Sequence, residues 1–172
     1  IYVDGDYAGG NSDGSHEKPY TTIQEAMSVA DFGNKIHVDY LDSGSGIYDT
    51  TGLMLKSGVQ LLGDNWNGCD QDKPKISATA SGRVLFGQDV SDTLIESFEI
   101  IVPAGPPYPD LTSNPTLSAI NLKDSNAGGG GGSTNDNTIR RCVFTGEVNV
   151  SAGYKGVYLE GAVGTTIELC EF

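Results

Sequence analysis

The chain is predicted to fold as an all-β, right-handed parallel β-helix (a solenoid) of roughly five turns with an N-terminal capping α-helix. Three observations predict it. First, three segments align on one another: Gly82 to Ile100 (GRVLFGQDVSDTLIESFEI), Ser118 to Phe144 (AINL, then NTIRRCVF) and Lys155 to Phe172 (KGVYLEGAVGTTIELCEF). Each ends on Ile-x-x-(Phe/Cys)-x-(Ile/Phe). That makes Ile95, Ile139 and Ile167 equivalent, likewise Phe98, Cys142 and Cys170, and likewise Ile100, Phe144 and Phe172. Second, strands this short cannot bury an apolar face alone, whereas stacked repeats can. Third, 24 glycines and few helix-forming runs favour a turn-rich all-β chain. The repeat isoleucines are 44 and then 28 residues apart, so the excess length belongs to loops.

One domain, 1–172, is expected, with a first strand and capping helix in 1–34 and solenoid turns in 35–172. Ile1 to Val3 reads as a strand, and Asp4 to Gly14 as an acidic, turn-rich loop. Pro19 to Ala30 reads as the helix. Thr22 and Glu25 form a capping box, Ile23, Ala26, Met27 and Ala30 make an apolar face, and Gly33 can end it. One amphipathic helix ahead of a solenoid has an obvious role, which is to cover the end of the apolar column. Strands follow at Lys35 to Tyr40, Leu53 to Leu55, Val59 to Leu62 and Lys75 to Ala78, then in the three aligned segments. In the first of these, Ile36, Val38 and Tyr40 share one face, and His37 and Asp39 the other. Three insertions interrupt the turns. The segment 102–118 holds five of the seven prolines and cannot be a central strand. The segment 124–137 holds five consecutive glycines, and 145–156 carries Glu147, Tyr154 and Lys155. The first and third leave the solenoid at the same corner of successive turns.

Charge narrows the function classes. A formal net charge of −13, from ten Lys and Arg against 23 Asp and Glu, repels phosphate backbones, so nucleic acid is not an expected partner. No apolar stretch reaches the roughly 18 residues of a membrane span. Cys142 and Cys170 share a repeat position and should lie about 4.8 Å apart, one strand spacing. They read either as buried thiols acting as small hydrophobes or as a disulfide, for which adjacent parallel strands offer poor geometry. Cys69, in NWNGCD, reads as an exposed loop thiol. The chain opens directly on IYVDGDY without an initiator Met or signal peptide, as a processed or excised piece would.

IYVDGDYAGGNSDGSHEKPYTTIQEAM resembles the opening of many secreted right-handed parallel β-helix proteins, with "YV", a Gly/Asn/Asp/Ser loop, then "P-aromatic-x-T-I-Q-x-A". GIYDTTGLMLKSGVQLLGD, Gly46 to Asp64, resembles their second block, and the later Ile-x-x-(Phe/Cys)-x-(Ile/Phe) runs resemble the repeat of the pectate-lyase-like superfamily. The resemblance covers nearly the whole chain. It implies the fold and an extracellular or cell-surface location. It does not choose among lyases, hydrolases, adhesins and structural modules. The family repeat commonly carries Asn where this chain has Phe98, Cys142 and Cys170. Cohesion between turns should therefore rest on packing there.

Lyases of this superfamily hold Ca²⁺ between carboxylates and the substrate's acid group and use Arg or Lys as the base. The three arginines are Arg83, Arg140 and Arg141, and the last two sit in a repeat corner rather than an aspartate-rich setting. No aspartate cluster of the hydrolase kind appears on the aligned strands. His16 and His37 show no partner pattern. The remaining candidates are for binding. Leu85, Asn121 and Tyr158, followed by Lys123 and Glu160, read as outward strand positions. With Tyr108, Tyr154 and Lys155 from the loops they would make a glycan-contacting strip, for which Tyr108, Asn121, Tyr154, Lys155 and Tyr158 are the candidate residues. Asp4, Asp6, Asn11 and Asp13 supply oxygen ligands at a spacing that suits Ca²⁺, although turn chemistry also explains them and no cofactor is required. The last residues, TTIELCEF, form a repeat strand with nothing after it, so Cys170 and Phe172 lie at an assembly edge. Either later turns of a longer β-helix cover it, or it docks on another subunit in a head-to-tail homo-oligomer or filament. The expected function is that of a non-catalytic extracellular structural or adhesive module, with a polysaccharide as an optional contact. The alternative is the N-terminal part of a secreted carbohydrate-active enzyme, a calcium-dependent polysaccharide lyase.

Overall fold

A computed structural model describes residues 1–50, 52–64, 73–78, 83–102, 118–125, 134–146 and 155–172. Among them the elements run β1 (Tyr2–Val3), α1 (Ile23–Val29), β2 (Lys35–Val38), β3 (Ile47–Asp49), β4 (Leu53–Met54), β5 (Gln60–Leu62), β6 (Lys75–Ser77), β7 (Arg83–Gln88), β8 (Leu94–Glu96), β9 (Glu99–Val102), β10 (Ser118–Lys123), β11 (Thr138–Arg140), β12 (Val143–Gly146), β13 (Lys155–Glu160) and β14 (Thr166–Glu168). Every third strand returns to the same sheet. Sheet A stacks β1-β2-β5-β8-β11-β14, sheet B stacks β3-β6-β9-β12, sheet C stacks β4-β7-β10-β13, and every pairing is parallel. The chain therefore winds A to B to C, rung upon rung, as a parallel β-helix with one helix. Residues Ile47–Asp49, given no element from sequence, form the strand β3.

Register places like residue on like. In sheet A, Ile36, Leu61, Ile95, Ile139 and Ile167 form one inward column. Sheet B stacks Tyr48, Ile76, Ile100 and Phe144, and sheet C stacks Leu53, Leu85, Ile120 and Val157. The equivalences among Ile95, Ile139 and Ile167 and between Ile100 and Phe144 are thus register pairs, and the rings of Phe144 and Phe172 stack at 4.8 Å. Interior members of these columns are almost wholly buried, and their removal from water is the main favourable term.

Two corners recur as backbone columns. Three residues before each sheet A column member stands a left-handed residue: Gly33, Gly58, Asp92, Asp136 and Gly164. Two residues after three of them stands another: Ser97, Arg141 and Leu169, with φ of 64°, 54° and 54°. Glycine and aspartate adopt this region readily, but arginine and leucine do so at a cost of about 1 kcal/mol. Stacking repeated the same bend on every rung. The first corner is also tied by buried polar groups. The Thr93 N–H donates to Asn137 Oδ1 at 3.1 Å, Asn137 Nδ2 donates to the Val90 carbonyl at 3.0 Å, and the Thr93 hydroxyl donates to the Lys56 carbonyl at 3.1 Å.

The helix is shorter than sequence predicts. Thr22 is its N-cap, its hydroxyl oxygen accepting from the Glu25 N–H at 3.2 Å, and Ala30 is its C-cap. Residues 14–20 are not helical because their backbone is bonded elsewhere. Tyr2 N–H donates to the Gly14 carbonyl, Tyr20 N–H to the Tyr2 carbonyl and Asp4 N–H to the Tyr20 carbonyl, sealing the outer edge of β1. Ile23, Ala26 and Met27 are buried, with α1 packed on β1 and β2. Lys56 Nζ donates to the Ser28 and Ala30 carbonyls at 2.8 and 3.0 Å, placing a cation at the negative end of the helix.

The columns predict a graded response to truncation. Ile95→Ala is expected to cost about 2–5 kcal/mol, because the stacked neighbours cannot collapse into the gap. Ile167→Ala, at a site already 41% exposed, should cost less than about 1 kcal/mol. Urea unfolding of the two variants decides this, and equal losses would contradict it.

Candidate functional site

The acidic N-terminal loop is built by turn chemistry. Asp4 Oδ1 accepts from the Asp6 N–H at 2.8 Å, and Asp13 Oδ1 accepts from the Ser15 N–H at 3.0 Å. Asp6 reaches farther. Its carboxylate accepts from the Asp42 N–H at 2.6 Å and from the Ser43 N–H at 3.2 Å, tying this loop to the turn before β3. The Ser43 hydroxyl and these amides hold the Asp6 carboxyl below its ordinary value of 3.8. Asn11 contributes a left-handed backbone bend. Asp4, Asp6, Asn11 and Asp13 therefore have structural work as the sequence allowed. Among the described residues no group of three or more His, Cys, Asp or Glu is placed to hold a metal ion.

The glycan strip is only partly assembled by the described residues. Asn121 and Tyr158 are register partners, and so are Lys123 and Glu160. The partner of Asn121 on the other side is Phe86, one residue beyond the expected Leu85, which is fully buried. Asn121 alternates with the inward Ile120 and Leu122, so its strand position faces outward, but it is covered there and only 2% exposed. Nearly all of β10 is buried, so both faces of this strand are covered. Tyr158 is half-buried, with its hydroxyl 3.5 Å from Glu160 Oε2. The backbone of Lys155 lies in register with Ser118 on sheet C. Tyr108, Tyr154 and Cys69 lie outside the described residues, as do the interiors of the three insertions. The first and third insertions do leave at the same corner, between sheets B and C of successive rungs.

Two outward groupings were not legible in the sequence. His37 Nδ1 pairs with Asp64 Oδ2, and the His37 ring stacks on Tyr2 at 5.1 Å while His16 meets the edge of Tyr2 at 5.2 Å. Arg140 and Arg141 both turn back one rung to Glu96, at 2.7 and 3.2 Å. The Glu96 bond and the fields of Glu96 and Glu168 raise the Arg140 guanidinium further above its ordinary value. The partners are 27 and 44 to 45 residues apart, and only the stacking joins them.

Two thiols follow Phe98 at the same position of successive rungs. Cys142 Sγ lies 3.4 Å from the Arg140 carbonyl and 3.9 Å from the Ile95 carbonyl. Cys170 repeats this one rung later, at 3.4 Å from Glu168 and 3.7 Å from Ile139. Both are free thiols, which decides between the two sequence readings. Burial pushes the Cys142 thiol up to about 11.

The most distinctive surface is the final rung. Sheets A and C end at β14 and β13, and Glu171 bridges to Val143 beside sheet B. Ile167, Leu159 and Phe172 are 41%, 40% and 77% exposed, whereas their partners Ile139, Leu122 and Phe144 are 0%, 1% and 8% exposed. Leu169 and Val163 add to the apolar face. A shallow cavity of about 220 Å³ lies here, lined by Val102, Phe144, Thr145, Gly146, Gly156 and Phe172. Gly156 is required for it, since a Cβ would sit 2.7 Å from the Phe172 ring. The predicted edge residues Cys170 and Phe172 both lie on this face.

No protein-family model matches the chain, and neither does any curated protein or solved structure.

Two measurements follow from these arrangements. The Asp6 carboxyl is depressed in the fold, so its tie is present above pH 3.8 and is lost as pH falls through the lower folded value. Amide protection at Asp42 and Ser43 is expected to drop over that acid range, and to be low at every pH in Asp6→Ala; protection independent of both would refute the tie. Iodoacetamide at pH 8 is expected to alkylate Cys170 about tenfold or more faster than Cys142, read by peptide mass spectrometry, because a buried thiol near 11 is scarcely ionised there. Equal rates would show that the rung does not protect Cys142.

Proposed function

We propose that the chain is a non-catalytic β-helix module of the pectate-lyase-like type, structural or adhesive in role and placed outside the cell. Its final rung is the contact surface through which it joins further β structure. The observation that carries this reading is the exposed final rung, whose side chains continue the core columns but lack a covering layer among the described residues. A parallel edge with a ready-made apolar face is a template for another rung. The opposite end differs. There β1 is sealed by residues 14–20 and covered by α1, so a like-oriented copy would present a helix rather than a free rung. Head-to-tail growth would therefore need a helix-on-rung contact, and rung-on-rung contact engages the C-terminal face alone. The module reading assigns no required cofactor.

Sedimentation in 1 M NaCl, where the Debye length is about 3 Å, should screen like charges and reveal association that rises with protein concentration. Leu169→Asn combined with Phe172→Ser should abolish it, Asn being tolerated at the left-handed position. Monomers at every concentration would sink the contact reading. Acidic polysaccharide incubated with the chain, with or without Ca²⁺, is expected to yield no unsaturated sugar product; such a product would replace this reading with that of a lyase.

A further inference from the structure

We draw no further inference here: the strongest candidate, the open apolar cavity of about 260 Å³ between α1 and the edge strand β4 that Met27, Leu53 and Met54 line, carries nothing because the polar side chains on its wall are already hydrogen-bonded within the chain and nothing in the structure shows what covers it.

Discussion

Register is the constraint on which the rest of this molecule depends. Leu61, Ile95 and Ile139 are buried because each lies over its counterpart, and a slip of one residue would turn a whole column outward. The corners protect that register. Left-handed residues before and after the sheet A strands return the chain to the same angle on successive rungs, however long the excursion between them. Spacings that differ by more than ten residues are accommodated without disturbing the columns, because the extra length leaves at corners and loop closure costs grow slowly with length. Leu169 and Arg141 tolerate a strained backbone for the same reason: the neighbouring rungs determine it.

The two ends of the stack resolve the edge problem in opposite ways. At the N-terminus, residues 14–20 occupy the hydrogen-bonding edge of β1, α1 covers the apolar column, and Lys56 satisfies the helix's last carbonyls. At the other face the columns simply continue to the surface, with Phe172 lying on Phe144 and Leu169 in water. The face is apolar at its centre and acidic at its rim, since Glu160, Glu168 and Glu171 lie on the final rung.

Much of the architecture was legible in one-dimensional form. The recurring Ile-x-x-(Phe/Cys)-x-(Ile/Phe) runs correctly identified Ile95, Ile139 and Ile167 as one column, because a repeat in sequence becomes adjacency in a solenoid. The Thr22 and Glu25 pair marked the helix start more accurately than Pro19 did, because a cap is a local hydrogen bond while residues 14–20 answer to β1. Sheet C was harder. Val84 and Leu85 are both buried, as are Ser118 through Leu122, so no polar alternation set the phase and Leu85 was read as outward. The His37–Asp64 pair and the Glu96–Arg140–Arg141 cluster carried no local signal, since neither lies at helical or strand spacing.

By itself the sequence determined the fold class, the inward columns of sheets A and B and the capping helix. Those properties follow from local periodicity and from the need of short strands to bury one face. Only the tertiary structure decided which side chains meet across rungs: that Asp6 binds the turn at Asp42 and Ser43, that Leu85 rather than Phe86 faces inward, that the two repeat cysteines stay thiols, and that β1 is sealed. Contacts between rungs depend on how much chain each corner diverts, and that quantity is set by the closed three-sheet circuit rather than by any local run of residues.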